Sequence, residues 1–416
     1  MTASPRPALW TRAVRGGLAP DPVTGAIEVP VYQNTTYAQA GVGTDKGFTY
    51  SRCANPTVAA LERALGELDD APPAVAFATG LAAVAGLLIT LTRSGDHVVC
   101  GDVVYGGTTR LLTDILSRYG VEATFVDTAE AENVRRALTP RTRLVLIETP
   151  ANPTLKLTDI ASVSAICRHA GVPLAVDNTF LTAALQDCFA LGADIILYST
   201  TKFIEGHNAT VGGAVLSRDQ ALLDEIRLVR KTLGSIQSPQ EAALTLRGLK
   251  TLPLRIRQHT EHALRIAEWL EADGRALNVR HPDLASFPQR DLARRQQRAG
   301  GGVLAFEAPG GLEGAKALVS ALKLCYLAES LGATETLVTH PASMTHTSVP
   351  PATRSAVGVT DALIRISVGL EDPADIIADL SQALDAAQRA PSARGNCAIS
   401  AHQLAPRAAC AHTSTV

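Results

Sequence analysis

The sequence predicts an α/β protein, in which a large domain on a mostly parallel sheet is followed by a smaller C-terminal α+β domain. Three observations lead there. Between about residues 61 and 255, short β-branched runs alternate with longer amphipathic segments, the pattern of a parallel sheet covered by helices. Past residue 255, strand-like runs recur among helical ones. With 416 residues, 46% of them hydrophobic, the chain is long enough to bury more than one core.

Residues 1–60 are rich in Gly, Pro, Thr and Tyr and lack sustained helical periodicity, so they read as an extended arm that needs a surface to lie on. In the 61–255 domain the strand candidates are Ala74–Ala78, His97–Cys100, Glu122–Val126, Arg143–Glu148, Pro173–Asp177, Asp194–Ser199 and Gly213–Ser217. Helical candidates fall near 80–93, 107–119, 129–137 and 158–170, with Thr158 or Asp159 placed to cap the last. Pro239 opens a long helical stretch to Trp269, with an interruption expected near Pro253. In the 256–390 domain, Val303–Glu307, Thr336–Val338 and Leu363–Val368 read as strands. Residues 391–416 have no apolar periodicity and read as a disordered tail.

A net charge of −2, without long like-charge runs, leaves no electrostatic footprint for nucleic acid or for acidic membranes. The most apolar stretch, Leu81 to Leu91, is too short to span a bilayer, and no apolar segment follows the N-terminus as in a signal peptide. Seven cysteines, at 53, 100, 167, 188, 325, 397 and 410, form an odd set without zinc-like spacing, which suits reduced thiols in a cytoplasmic protein. A small-molecule partner is expected.

Two residues at predicted strand ends carry the first chemical signal: Asp177, closing Pro-Leu-Ala-Val-Asp, and Lys202, following Asp194-Ile-Ile-Leu-Tyr-Ser-Thr-Thr. The carboxyl edge of a parallel sheet is where ligands bind, so an acid and an amine can converge there. Taken singly, Lys202 also reads as a surface lysine and Asp177 as a helix cap. Ser199 and Thr201 flank the lysine with hydroxyls that suit a phosphate dianion. Upstream, Thr79-Gly80-Leu81 turns from a strand into a helix, whose free N–H groups could bind the same phosphate. Tyr105, beside Gly106-Gly107, could lay its ring on a flat cofactor or pack in the core. His207, His340 and His346 lack i/i+4 ligand spacing and read as local hydrogen-bonding residues, so no metal is expected.

Across residues 11 to 385 the chain resembles the trans-sulfuration (Cys/Met metabolism) family of fold-type I pyridoxal-phosphate (PLP) enzymes. The segments that carry the resemblance include Tyr50-Ser51-Arg52, Tyr105-Gly106-Gly107-Thr108, Glu148-Thr149-Pro150-Ala151-Asn152-Pro153, Val176-Asp177-Asn178-Thr179-Phe180, Ser199-Thr200-Thr201-Lys202, Glu329-Ser330-Leu331-Gly332 and Ile364-Arg365-Ile366-Ser367.

The resemblance implies that Lys202 holds pyridoxal 5'-phosphate as a Schiff base and shuttles protons, with Asp177 on the pyridine nitrogen. It implies that Gly80, Leu81, Ser199 and Thr201 hold the phosphate, that Asn152 lies near the 3′-oxygen, and that Tyr105 stacks on the ring and protonates the leaving group. Arg365, assisted by Ser330, would clamp the substrate α-carboxylate. Tyr50 and Arg52 would reach the neighbouring subunit's cofactor in a homotetramer built as a dimer of dimers. The expected reaction is γ-elimination on an L-amino acid; γ-replacement, or elimination of an unusual group such as a halide, is the alternative. Glu329 favours the cystathionine-handling members, as does Gly107 where methionine γ-lyases carry cysteine. Thr49 departs from them, because an acidic residue often stands there to meet a distal ammonium.

Overall fold

The computed structural model describes residues 7–347 and 351–390. The tail expected at 391–416, with Cys397 and Cys410, lies outside them.

Seven strands form the first sheet: β1 (Val75–Phe77), β2 (His97–Gly101), β3 (Glu122–Val126), β4 (Thr142–Glu148), β5 (Leu174–Asp177), β6 (Ile195–Tyr198) and β7 (Gly213–Ser217). Their order across the sheet is β1-β7-β6-β5-β4-β2-β3. Strands β3, β2, β4, β5 and β6 run parallel, whereas β7 pairs antiparallel with β6 and with β1. The central strands are mainly apolar and buried, as expected for strands covered on both faces, while the edge strand β3 is half exposed. From β2 the chain steps outward to β3 and then crosses back to β4, so the order reverses between β2 and β4. A crevice opens at the carboxyl ends of the strands on either side of such a reversal.

The second sheet comprises β8 (Leu277–Arg280), β9 (Val303–Glu307), β10 (Tyr326–Leu327), β11 (Leu337–Thr339) and β12 (Leu363–Ser367), in the order β10-β11-β12-β9-β8. Its pairs are antiparallel except β10 with β11. Short, half-exposed β8 and β10 give too little alternation to stand out in the sequence.

Three local expectations are corrected. The stretch Pro239–Asp273 is one unbroken helix with Pro253 inside it. Proline removes an N–H and crowds the preceding turn, yet the helix runs through it, with the preceding turn packed in place: Thr251 Oγ1 (3.2 Å) and Arg255 Nη2 (2.7 Å) both donate to the Gly248 carbonyl. Ser238 opens this helix by accepting from the Glu241 N–H, while its own hydroxyl donates to the Glu241 carboxylate. The segment expected as a helix over 107–119 is irregular, with α-helix at Gly106–Arg110, π-helix at Leu111–Ile115 and a 3₁₀ turn at Leu116–Tyr119. The arm is not wholly extended, since Leu9–Arg15 is helical and a helix over Pro56–Asp69 begins within it. Asp159, rather than Thr158, caps the Ile160–Ala170 helix, accepting from Ser162 N at 3.0 Å.

The long helix positions the lysine turn. Gly248 lies against the Glu205 backbone, where a Cβ would collide, and the Arg255 guanidinium donates to the Phe203 and Ile204 carbonyls at 2.7 and 3.1 Å. On its other side, Gly332 (φ +80°) packs against the Lys202–Phe203 backbone with no room for a side chain. The turn is therefore held between a helix and the second domain.

Candidate active site

Four adjacent strands of the first sheet deliver their carboxyl ends to one cavity of about 380 Å³. Tyr105 follows β2, Glu148 ends β4, Asp177 ends β5, and Ser199, Thr201 and Lys202 follow β6. Gly80 and Leu81 begin the Gly80–Leu91 helix at the same edge. All of these residues line the cavity, together with Asn152.

At one end lies the start of that helix. Thr79 caps it by accepting from Ala82 N at 3.0 Å, and the Gly80 and Leu81 N–H groups belong to the first turn, which has no intrahelical acceptors. A Cβ on Gly80 would lie 2.9 Å from Ser199 Cβ, so only glycine lets helix and hydroxyl approach this closely. Thr201 Oγ1 is fixed by the Gly212 N–H at 2.9 Å and itself donates to the Gly212 carbonyl at 3.1 Å.

On the floor, the Asp177 carboxylate accepts from Thr179, including its N–H at 3.0 Å, and among the described residues it makes no ion pair. Enclosure raises its carboxyl above the usual range. Glu148, in register with Asp177 on the neighbouring strand, accepts from Tyr105 N at 2.8 Å and Asn152 N at 3.0 Å. Burial, and then the nearby Asp177 charge, pushes the Glu148 carboxyl up to about 8.

Lys202 Nζ donates to Ser330 Oγ at 3.0 Å. Burial, followed by the Arg365 charge and opposed by Glu329, brings the ammonium down from 10.5 to about 8, so roughly a tenth of it is free amine at pH 7, far more than for an ordinary lysine. Arg365 is only 1% exposed. Its guanidinium donates to Asn152 Oδ1 (2.8 Å), the Ser330 carbonyl (2.6 Å) and Thr339 Oγ1 (2.9 Å), while its Nε has no partner. Amine, clamp and Asn152 thus form one connected network.

Of the remaining residues singled out, Glu329 is exposed but close enough to act electrostatically on both Lys202 and Arg365. Tyr50, Arg52 and Thr49 do not line the cavity. The Arg52 guanidinium sits 5.5 Å from the Tyr50 ring centre and donates to the Lys231 carbonyl at 2.6 Å, while the Thr49 carbonyl accepts from Tyr37 N at 3.1 Å. Among the lining residues to which the sequence assigns no role are Glu148 and Thr179. Glu148 carries a legible signal, a strand-end carboxylate before a proline. Among the described residues, no group of three or more His, Cys, Asp or Glu could hold a metal.

Residues 10–385 match the family described as Cys/Met metabolism PLP-dependent enzyme. A cystathionine gamma-lyase of Bacillus subtilis (strain 168) is 44% identical over 375 residues, covering 90% of this chain and 98% of that protein. A cystathionine gamma-synthase of Mycobacterium tuberculosis (strain ATCC 25618 / H37Rv) is also 44% identical over 375 residues, covering 90% and 96%. The crystal structure of cystathionine gamma-lyase from Lactobacillus plantarum complexed with L-serine superposes with a TM-score of 0.89 at 36% identity, covering 92% of this chain and 100% of that one. The chain therefore belongs to the Cys/Met metabolism PLP-dependent enzymes, a fold-type I family of trans-sulfuration lyases and synthases, and pyridoxal phosphate is its cofactor.

Proposed function

We propose that this enzyme catalyses γ-elimination on an L-amino acid with a leaving group on Cγ, with Lys202 as the residue that holds the cofactor. The observation that carries the reading is the buried Lys202 amine, fixed by Ser330 in a cavity that also contains an unpaired carboxylate and borders a buried guanidinium.

The residues fit the cofactor. The open first turn at Gly80 and Leu81, with Ser199 and Thr201, would hold a phosphate dianion. Asp177, which lacks a cationic partner, would hold a protonated pyridine nitrogen, and Tyr105, 43% exposed above the cavity, would cover the ring. When bound, pyridoxal phosphate supplies an electron sink that allows protons to leave Cα and then Cβ of an amino acid.

The chain's own groups do the rest. Arg365 would fix the α-carboxylate and so point Cα at Lys202, whose free amine would take the Cα proton, hand it on and, free again, take one from Cβ. Tyr105 would deliver a proton to the departing γ-group. Water completes the balance: substrate and water become a 2-oxo acid, ammonia and the protonated leaving group. Glu329, beside the clamp, would face a polar side chain in the cystathionine manner, while Thr49 leaves a distal ammonium without an ion pair from the arm.

The equal identity to a cystathionine gamma-synthase keeps γ-replacement as the second reading. Purified holoenzyme incubated with cystathionine and with O-acyl- and halogen-bearing homoserine analogues should release 2-oxo acid without any thiol. A thioether formed only when thiol is added would establish replacement instead. No turnover of any γ-substituted amino acid would defeat both readings.

We also read the active unit as a homotetramer, a dimer of dimers in which Tyr50 and Arg52 reach the neighbouring cavity. The exposed Val23 and Ile27 on the arm support this, because none of the described residues covers them. The free, buried Cys100, Cys167, Cys188 and Cys325 suit a reducing, cytoplasmic setting.

A further inference from the structure

Glu148 is a buried carboxyl, 8% exposed, to which the proposed chemistry gives no step. Burying an acid is costly unless its oxygens are used, and here each oxygen serves a different segment. Oε2 accepts the Tyr105 N–H, which starts the turn after β2, and Oε1 accepts the Asn152 N–H in the turn after β4. Both turns are otherwise irregular at these points, and Glu148 supplies the acceptor that a strand neighbour would supply within a sheet.

What hangs from each turn gives the arrangement its consequence. Tyr105 carries its ring over Gly107, where a Cβ would collide with the ring, so the ring's place is set by the backbone that Glu148 holds. Asn152 turns its side-chain oxygen to the Arg365 guanidinium at 2.8 Å, and Arg365 also donates to the carbonyl of Ser330, whose hydroxyl accepts from Lys202. Arg365 comes from β12 in the second sheet, so the path Glu148–Asn152–Arg365 joins the first sheet's edge to a group of the other domain.

We propose that Glu148 is a positioning residue, one carboxyl that sets the Tyr105 ring and, through Asn152, the Arg365 clamp. The inference rests on the cavity being the cofactor and amino-acid site. It explains why an acid stands here rather than the isosteric amide, since glutamine offers one acceptor oxygen and would turn an NH₂ toward the second N–H.

The test compares wild-type and Glu148→Gln holoenzymes. Each is titrated with an amino acid by the change in its visible absorbance, followed by visible-region circular dichroism and by steady-state rates. Glu148→Gln should retain the cofactor band, weaken amino-acid binding and raise KM by about tenfold or more, and lower kcat by about tenfold, because ring and clamp are both displaced. Its visible circular dichroism should change shape, reporting a moved aromatic neighbour. Binding, rates and dichroism within twofold of wild type would overturn the proposal.

If Glu148→Gln does not fold, amide hydrogen exchange in the wild-type holoenzyme decides. The Tyr105 and Asn152 amides should be protected like strand amides, and exchange at open-loop rates would overturn it. The spectral titration needs no elimination, so a wild type that binds amino acids without releasing 2-oxo acid would contradict the proposed reaction and leave Glu148 still testable.

Discussion

The cavity and the N-terminal arm contribute residues to the same expected chemistry, yet they meet solvent in opposite ways. Around the cavity, several of the polar groups singled out have a partner from a distant part of their own chain: Lys202 with Ser330, Arg365 with Asn152, Ser199 N with Thr179 Oγ1. The arm is tied to the rest of the chain at intervals, among them Thr57 against Pro30 and Tyr32, and Lys250 against Glu28. Between those ties it displays Val23 at 90% and Ile27 at 81% exposure, and its Tyr50 and Arg52 are not among the residues that line the cavity. A single chain completes the first region and leaves the second uncovered. Preorganisation within one fold and the proposed completion by a second copy are therefore separable, and substitutions can separate them.

The largest expected effects test that separation directly. Lys202→Ala should lower turnover by about 10³-fold or more, since it removes both the anchor and the base, and Arg52→Ala should cost about 10²-fold through lost phosphate contacts. If the arm acts in trans, unfolding and refolding the two variants together should restore activity. With random pairing, about a quarter of sites would then be intact. No recovery in the mixture would place arm and lysine in the same subunit.

Asp177→Asn should reduce turnover by about 10²-fold, because the electron sink loses its partner. The same change should act in the opposite direction on the cofactor-free chain. An acid raised by burial favours the folded state only while protonated; that stabilisation is complete below the unfolded value of 3.8 and is lost as pH rises through the folded one. Cofactor-free Asp177→Asn should thus be more stable than wild type at neutral pH, by about 1 kcal/mol. Thermal unfolding of both forms checks this, and equal or lower stability would refute it.

Lys202 gives a pH-dependent signature. With its ammonium lowered to about 8, the rate at which the cofactor-free chain captures pyridoxal phosphate should climb with pH and level off above about 8. A rise continuing toward 10.5 would mean an ordinary, exposed lysine. The smallest effect belongs to the arm: Thr49→Glu should improve kcat/KM for cystathionine by about tenfold, roughly 1.4 kcal/mol, while leaving substrates without a distal amine unchanged. An equal effect on both classes would remove Thr49 from specificity.

What the sequence disclosed, and what it hid, follows the same division. Asp177, Lys202 and the Thr79-Gly80-Leu81 turn were legible because strand ends and glycine turns are local patterns, and the sheet places them together. The role of Glu148 was not legible, since its donors are backbone N–H groups whose partner depends on how two turns fold. Nor was the link from Asn152 to Arg365, which lie 213 residues apart. Pro253 misled because its ring is buried within a helix that packing carries through the proline, a tertiary setting that periodicity does not record. For Tyr50 and Arg52, family resemblance supplied a role that a single chain cannot display.

The most direct measurement is borohydride reduction of the holoenzyme followed by peptide mapping. The pyridoxyl mass should be found on Lys202 and on no other lysine. A label on Lys156, Lys231 or Lys250, or none at all, would contradict the assignment of Lys202 as the residue that holds the cofactor.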